Sequence, residues 1–273
     1  MFRSLWSLPV GRVMGVRIRL DLFLFVFAAA EVLKALLGGG GWPAVSGAAA
    51  AMGILFVSVL LHELGHCWMA RRMGGAAEEV ILWPLGGIAT VDVPRTPRAQ
   101  FWTAFAGPAV NALLAAGLGG WLFAGDALSA HGLFAWDRGW AHSAFAINVG
   151  LLLFNLLPAF PMDGGQMLRA LLWPRMGFAR ATLAAVTVGK IAAVLMGVAW
   201  LASGNFLLIG IAVLNWMACE QERLLLASGG LVDDGTYGQV APSGGAALEP
   251  GELEGSGWWA RRRQARQARE ARE

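Results

Sequence analysis

Charge is what this sequence has least of. Asp, Glu, Lys and Arg make up 14% of its 273 residues, where a soluble domain carries about 25%. An ordinary water-soluble domain is therefore excluded. Lysine is close to absent, with only Lys34 and Lys190 beside many arginines, a bias that fits a GC-rich bacterial genome. The formal net charge of +3 is too small to imply a nucleic-acid partner, and none is expected. Cysteine is scarce too: Cys67 and Cys219 have no C-x-x-C partner, so no disulfide framework is implied. Internal repeats are absent, which removes solenoid architectures.

What the chain has instead is apolar residues. They make up 57% of the sequence, and the mean hydropathy is +0.57. The expected fold class is an all-α polytopic membrane protein with about six transmembrane helices and a short membrane-associated β-hairpin. Residues 1–19 alternate in Val13-Met14-Gly15-Val16-Arg17-Ile18-Arg19, a period of two that predicts a strand leading into the first span. Spans are expected at Leu20 to Leu37, Ala44 to Met69, Phe101 to Phe123, Ala141 to Leu157, Ala181 to Leu201 and Phe206 to Ala218. The first reads as an uncleaved span rather than a signal peptide, because its apolar run continues past Ala28-Ala29-Ala30 through Glu31 to Leu37. Glu78 to Arg98 is β-branched and broken by Pro84, Gly86 and Gly87, so it reads as two short strands around a turn. Its edge can take up an extended peptide by strand addition.

Three segments follow: 1–19, a cytoplasmic strand-like lead; 20–222, the membrane domain; and 223–273, a flexible cytoplasmic tail. From Gly229 to Gly257 the tail is rich in small and acidic residues. It ends in Trp258-Trp259 and an arginine cluster, which suits either the anionic membrane face or a solubilising helix. Arginines decide the orientation. Arg3, Arg12, Arg17, Arg19, Arg71, Arg72, Arg95, Arg98, Arg169, Arg175 and Arg180 fall on one side and Arg138 on the other. The arginine-rich side is cytoplasmic by the positive-inside rule. That makes this a multi-pass protein of the bacterial cell membrane with both termini in the cytoplasm.

The run from Ala44 to Leu61 holds no charge, and then His62-Glu63-Leu64-Gly65-His66 arrives. Positions i and i+4 share a helix face, so His62 and His66 can address one metal ion, with Glu63 beside its water as general base. Ionisable groups inside a membrane are costly and mark function by default. The rival reading is two histidines satisfying each other. Cys67 faces away from the pair and reads as packing. A second irregular stretch, Phe154-Asn155-Leu156-Leu157-Pro158-Ala159-Phe160-Pro161-Met162-Asp163-Gly164-Gly165, brings one carboxylate to membrane depth. Asp163 is the candidate third ligand, or else an ordinary Asp-Gly turn residue. His62 lies about 13 Å inside Arg71 along the helix, so both stretches sit toward the cytoplasmic side. Asn111, inside the third span, reads as interhelical glue.

These motifs, with Pro84-Leu85-Gly86-Gly87 and Gly107-Pro108-Ala109-Val110-Asn111, resemble the site-2 proteases, a family of zinc intramembrane metalloproteases. The subgroup is similar to the sporulation-factor-processing proteases, without their sensor domains. The resemblance implies that His62, His66 and Asp163 ligate one Zn²⁺ and that Glu63 is the general base and proton carrier. It further implies that Asn155 holds the substrate or the developing oxyanion and that the hairpin guides the substrate. The expected activity is hydrolysis of a peptide bond in or near a transmembrane segment of a membrane-protein substrate, within the lipid bilayer. The alternatives are a membrane-bound zinc peptidase acting on soluble peptides, a non-catalytic membrane scaffold and a metal transporter. Intact motif residues argue against the scaffold, and polar groups gathered at one depth argue against a transporter.

Overall fold

The structure is a computed structural model. It describes residues 7–84, 86–124, 139–204 and 206–228, with Phe206 and Leu207 described by backbone alone. The chain divides into a compact unit, Met1–Val232, and a second unit, Asp233–Glu273. The second unit lies outside the described residues, and so does the tail's Trp258-Trp259 and arginine cluster.

The alternating stretch near the N-terminus forms two strands rather than one. β1 (Ser7–Val13) and β2 (Val16–Asp21) pair antiparallel, with Val13 opposite Val16. The two-residue connection, Met14-Gly15, has φ of 52° and 75°, the doubly positive turn that matches the twist of a hairpin. Asp21 ends β2 and caps the next helix, accepting from the Phe23 amide at 3.0 Å. It serves as the N-cap of that helix. That helix, α1 (Leu22–Leu37), is followed by α2 (Gly41–Arg72). The pair forms the crossover that lets β3 (Ala76–Trp83) lie parallel to β2. β4 (Gly86–Asp92) returns antiparallel to β3, giving the expected hairpin. The β-structure is therefore a four-stranded sheet in the order β1-β2-β3-β4, larger than the hairpin anticipated in an all-α chain.

The sheet exists because period-two residues bury on one face. Val16, Ile18, Val80 and Leu82 pack with Val59, Leu64 and Cys67 of α2. This core grips the end of α2 that carries the histidines, and Cys67 is one of its members. Arg71 locks the arrangement by donating to the Ala77 carbonyl at 2.8 Å and to the Met14 carbonyl.

The helical part continues with α3 (Pro97–Ala124), α4 (Trp140–Asn155), α5 (Asp163–Met176), α6 (Phe178–Ser203) and α7 (Phe206–Ala227). α3 packs against α2, α4 and α5, and α6 packs against α5 and α7. Helix α5 was not expected. The prolines at 158 and 161 break the chain after α4, and Asp163-Gly164-Gly165 then starts a helix instead of a turn. Phe160 anchors the irregular stretch against Ala185, Val186 and Cys219 of α6 and α7.

Among the described residues three helices are long and apolar enough to cross a membrane: α2, α3 and α6. α1 and α4 have 16 residues each, about 24 Å of helix against a hydrocarbon core of about 30 Å.

Candidate metal centre

His62 and His66 stand one turn apart on α2 with ring centroids 4.7 Å apart and planes at 85°. Asp163, the first residue of α5, comes in from a different part of the chain. Its Oδ2 lies 3.1 Å from His62 Nε2 and 3.3 Å from His66 Nε2, and the two Nε2 atoms are 3.0 Å apart. All three side chains are buried. This group is the one set of three His, Cys, Asp or Glu side chains placed to hold a metal among the described residues.

The donor set fits a cation on three counts. First, His66 Nδ1 is 2.7 Å from the Thr103 carbonyl, which can only accept; Nδ1 must carry a proton, so in the neutral ring Nε2 presents a lone pair. His62 Nδ1 is likewise engaged, 2.5 Å from Asn111 Oδ1. Second, Asp163 Oδ2 is buried with no hydrogen-bond partner. Lone pairs crowded together away from water repel unless a positive charge lies among them. Third, Zn–N bonds of about 2.0–2.1 Å in tetrahedral geometry separate ligand atoms by about 3.3 Å, close to the spacings seen. Two imidazoles and a carboxylate are also a ligand set that suits zinc.

The neighbours of the centre are shaped around it. A Cβ added to Gly107 of α3 would run into His66 Nε2 and come within 2.7 Å of His62 Cε1. Only glycine leaves the rings this space. Pro108, next in the chain, lacks the N–H that would bond the Ala104 carbonyl. That leaves the Ala104 carbonyl, one residue after Thr103, without its helical donor.

Glu63 is buried and faces the sheet. A Cβ on Gly87 of β4 would lie 2.7 Å from both its Cδ and its Oε1, and the Ala89 backbone amide is directed at its carboxylate. The hairpin thus touches the candidate general base, and β4 is an edge strand of the sheet. Asn155, the last residue of α4, is half-buried, and its side-chain amide donates to the Leu151 carbonyl on its own helix at 3.0 Å. A cavity of about 1090 Å³ opens between α2, the hairpin turn, the end of α4 and α7, with Phe56, Val59, Gly86, Phe154, Met162 and Leu214 in its wall. Met162, in its wall, is the residue before Asp163 in the chain.

Sequence reasoning named five residues for the site, His62, Glu63, His66, Asn155 and Asp163, and left out their supports. Thr103 gave no signal, because it acts through its backbone carbonyl. Asn111 joins helices as expected, donating to Asn148 on α4, and its oxygen also meets His62, which composition gives no way to see.

A metal-binding fold of this kind defines a class. Residues 50–130 and 135–196 match the model of peptidase family M50, and the chain belongs to that family. It is similar to the putative zinc metalloprotease Rip3 of Mycobacterium tuberculosis, 34% identical over 235 residues. It is also similar to the zinc metalloprotease MJ0392 of Methanocaldococcus jannaschii, 31% identical over 221 residues. Each alignment covers 80% of this chain but only 58% and 60% of those relatives, so the chain spans less than two thirds of their length. Among solved structures it resembles the site-2 protease from Methanocaldococcus jannaschii, with a TM-score of 0.59 and 30% identity. That match covers 80% of this chain and 95% of the other.

Proposed function

We propose that this protein is a zinc-dependent intramembrane endopeptidase. It hydrolyses peptide bonds in or near transmembrane segments of membrane-protein substrates. The observation that carries the reading is the convergence of His62, His66 and Asp163 on one buried point, with Glu63 between the histidines in sequence and beside the hairpin in space. Membership of peptidase family M50 supports the chemistry. The long apolar helices support the membrane setting.

In this reading His62, His66 and Asp163 hold one zinc ion per chain. Zinc bound there supplies Lewis acidity and lowers the pKa of a water toward about 7. Glu63 takes the proton of the attacking water and delivers it to the leaving amine. Its burial keeps bulk water from competing for that proton. A substrate helix unwinds locally, since a helical amide is already hydrogen-bonded and shielded. The unwound segment adds to the edge of β4, which runs past Glu63, and its side chains fill the cavity beside Met162. Asn155 at the end of α4 then serves the substrate carbonyl, after turning from Leu151.

The protease domain is residues 20–222, between an N-terminal segment, 1–19, and a cytoplasmic tail, 223–273. α1, α4 and α7 join α2, α3 and α6 as spans, about six in all. α1 and α4 reach across by local thinning of the bilayer. Both termini then lie in the cytoplasm of a bacterial cell, where arginines concentrate.

The test is co-expression with a single-span membrane reporter and, separately, with a soluble one. Wild type should cleave the first, Glu63→Gln should cleave neither, and both purified proteins should hold about one zinc. Cleavage of the soluble reporter alone would move the protein to a surface peptidase. Zinc in both proteins with no cleavage of a panel of spans would leave a scaffold.

A further inference from the structure

The two histidines are held by different means. His66 donates directly to a backbone carbonyl, whose direction cannot be reversed. His62 faces a side-chain amide, and an amide has two ends. If Asn111 turned over, its NH₂ would face His62 Nδ1, that nitrogen would have to accept, and the proton would move to Nε2, the atom meant for the metal. Something must keep Asn111 the right way round.

The structure assigns that task to Asn148. Asn148 Nδ2 lies 2.8 Å from the Ala144 carbonyl, one turn back on α4, and 3.1 Å from Ser58 Oγ on α2. The Ala144 carbonyl can only accept, so the NH₂ of Asn148 is pinned there and Asn148 Oδ1 points the other way. Asn111 Nδ2 donates to that Oδ1 at 2.9 Å. Asn111 Oδ1 is then the end left for His62 Nδ1, at 2.5 Å. The polarity of one backbone carbonyl on α4 thus passes through two amides to the ring of His62. Asn111 is fully buried and Asn148 nearly so, so water does not substitute for either link. The chain also closes on itself: Ser58 and His62 are one turn apart on α2. Three helices must be in register for the ring to be correct.

We propose that Asn148 is a positioning residue of the metal centre, acting through Asn111 to hold the proton of His62 on Nδ1. Partners of this outer kind commonly contribute 10–100-fold to metal affinity or activity. The proposal rests on the reading of His62 as a ligand, but its test does not need a working protease.

The chain has four histidines, so selective ¹⁵N-histidine labelling yields few imidazole signals. In metal-free wild type, at a pH where the rings are neutral, His62 and His66 should both show Nδ1–H. Asn148→Leu should bring the Nε2–H form into the His62 signal and leave His66 unchanged. It should also lower zinc affinity 10–100-fold, measured by competition with a chromophoric chelator. A carboxylate has no wrong way round, so in an Asn111→Asp background Asn148→Leu should cost no further zinc affinity. An equal loss in both backgrounds means that Asn148 only packs, and the proposal fails. So does an unchanged His62 tautomer. If Asn148→Leu does not fold, Asn111→Leu read by the same spectra decides, since it breaks the link one residue nearer the ring. A wild type that shows the Nδ1–H tautomers yet binds no zinc would overturn the protease reading and leave the relay standing.

Discussion

Helix α2 is two different objects joined end to end. From Gly41 to Val57 none of its residues is buried; from Ser58 to Ala70 most are, including every polar group of the His-Glu-x-x-His motif. A water-soluble helix would carry its charges outward and its apolar residues inward. Here the apolar half is exposed or half-buried along its whole length and the polar half is enclosed. With lipid as solvent this is the low-energy arrangement. Apolar side chains lose nothing by facing hydrocarbon, while an unpaired polar group there costs several kcal/mol. The enclosed half is bought by contacts from three directions: the sheet through Val80 and Leu82, α3 through Thr103, Gly107 and Asn111, and α5 through Asp163. A helix of one continuous geometry is apolar scaffold at one end and carries two residues of the candidate metal centre at the other.

Substitutions in the two halves should separate them sharply. The largest effect is expected from removing a ligand. His66→Ala or Asp163→Ala should abolish reporter cleavage and reduce bound zinc, measured by atomic absorption, from about one per chain to near zero. Either protein still holding a full zinc would show that the three side chains do not form the centre. Next comes Glu63→Gln, which should slow cleavage by about 10²–10⁴-fold while zinc content stays that of wild type. A parallel loss of zinc would mean that Glu63 supports the metal rather than the proton transfer. Asn155→Ala should lower kcat by about 10²–10³-fold, the range for one oxyanion donor. A change confined to KM would make Asn155 a binding residue only.

The lipid-facing half answers to a different rule. Val57 is 57% exposed and sits one residue before the buried stretch begins. Val57→Arg should reduce membrane insertion by about 2.5–3.5 kcal/mol, seen as lost accumulation in the membrane fraction. Val57→Leu should leave accumulation, zinc content and cleavage unchanged, within about 0.5 kcal/mol. If Val57→Leu were as damaging as a substitution at Ser58 or Val59, the division of α2 into two halves would be wrong.

Parts of this molecule were open to reading from residues alone, and the reasons are local. The charge-free run before His62 marks a membrane helix by composition. The i, i+4 spacing puts His62 and His66 on one face, whatever surrounds them. The Pro/Gly turn at 84–87 marks the β3–β4 hairpin. The misses have physical causes as well. Alternation over 13–19 is the same whether a strand stands alone or folds back, so the β1–β2 hairpin and the four-stranded sheet were not seen. Asp163-Gly164-Gly165 reads as a turn, because two glycines weaken helix propensity. Packing against the irregular stretch and α6 overrode it and gave α5. Arg138 and the tail beyond Ser228 lie outside the described residues.

By itself the sequence determined what depends on neighbours along the chain: a membrane protein, two histidines on one helix face, a glutamate beside them and a break in the chain before Asp163. Only the tertiary structure decided what depends on neighbours in space. It brought Asp163 to within 3.3 Å of both imidazoles. It set Gly87 against Glu63, and it turned Asn111 so that its oxygen, not its nitrogen, meets His62. The reason is that periodicity along a helix sets which face a side chain occupies. The direction of a hydrogen bond, and the meeting of residues a hundred positions apart, are set by which other backbone and side-chain dipoles the folded helices bring alongside.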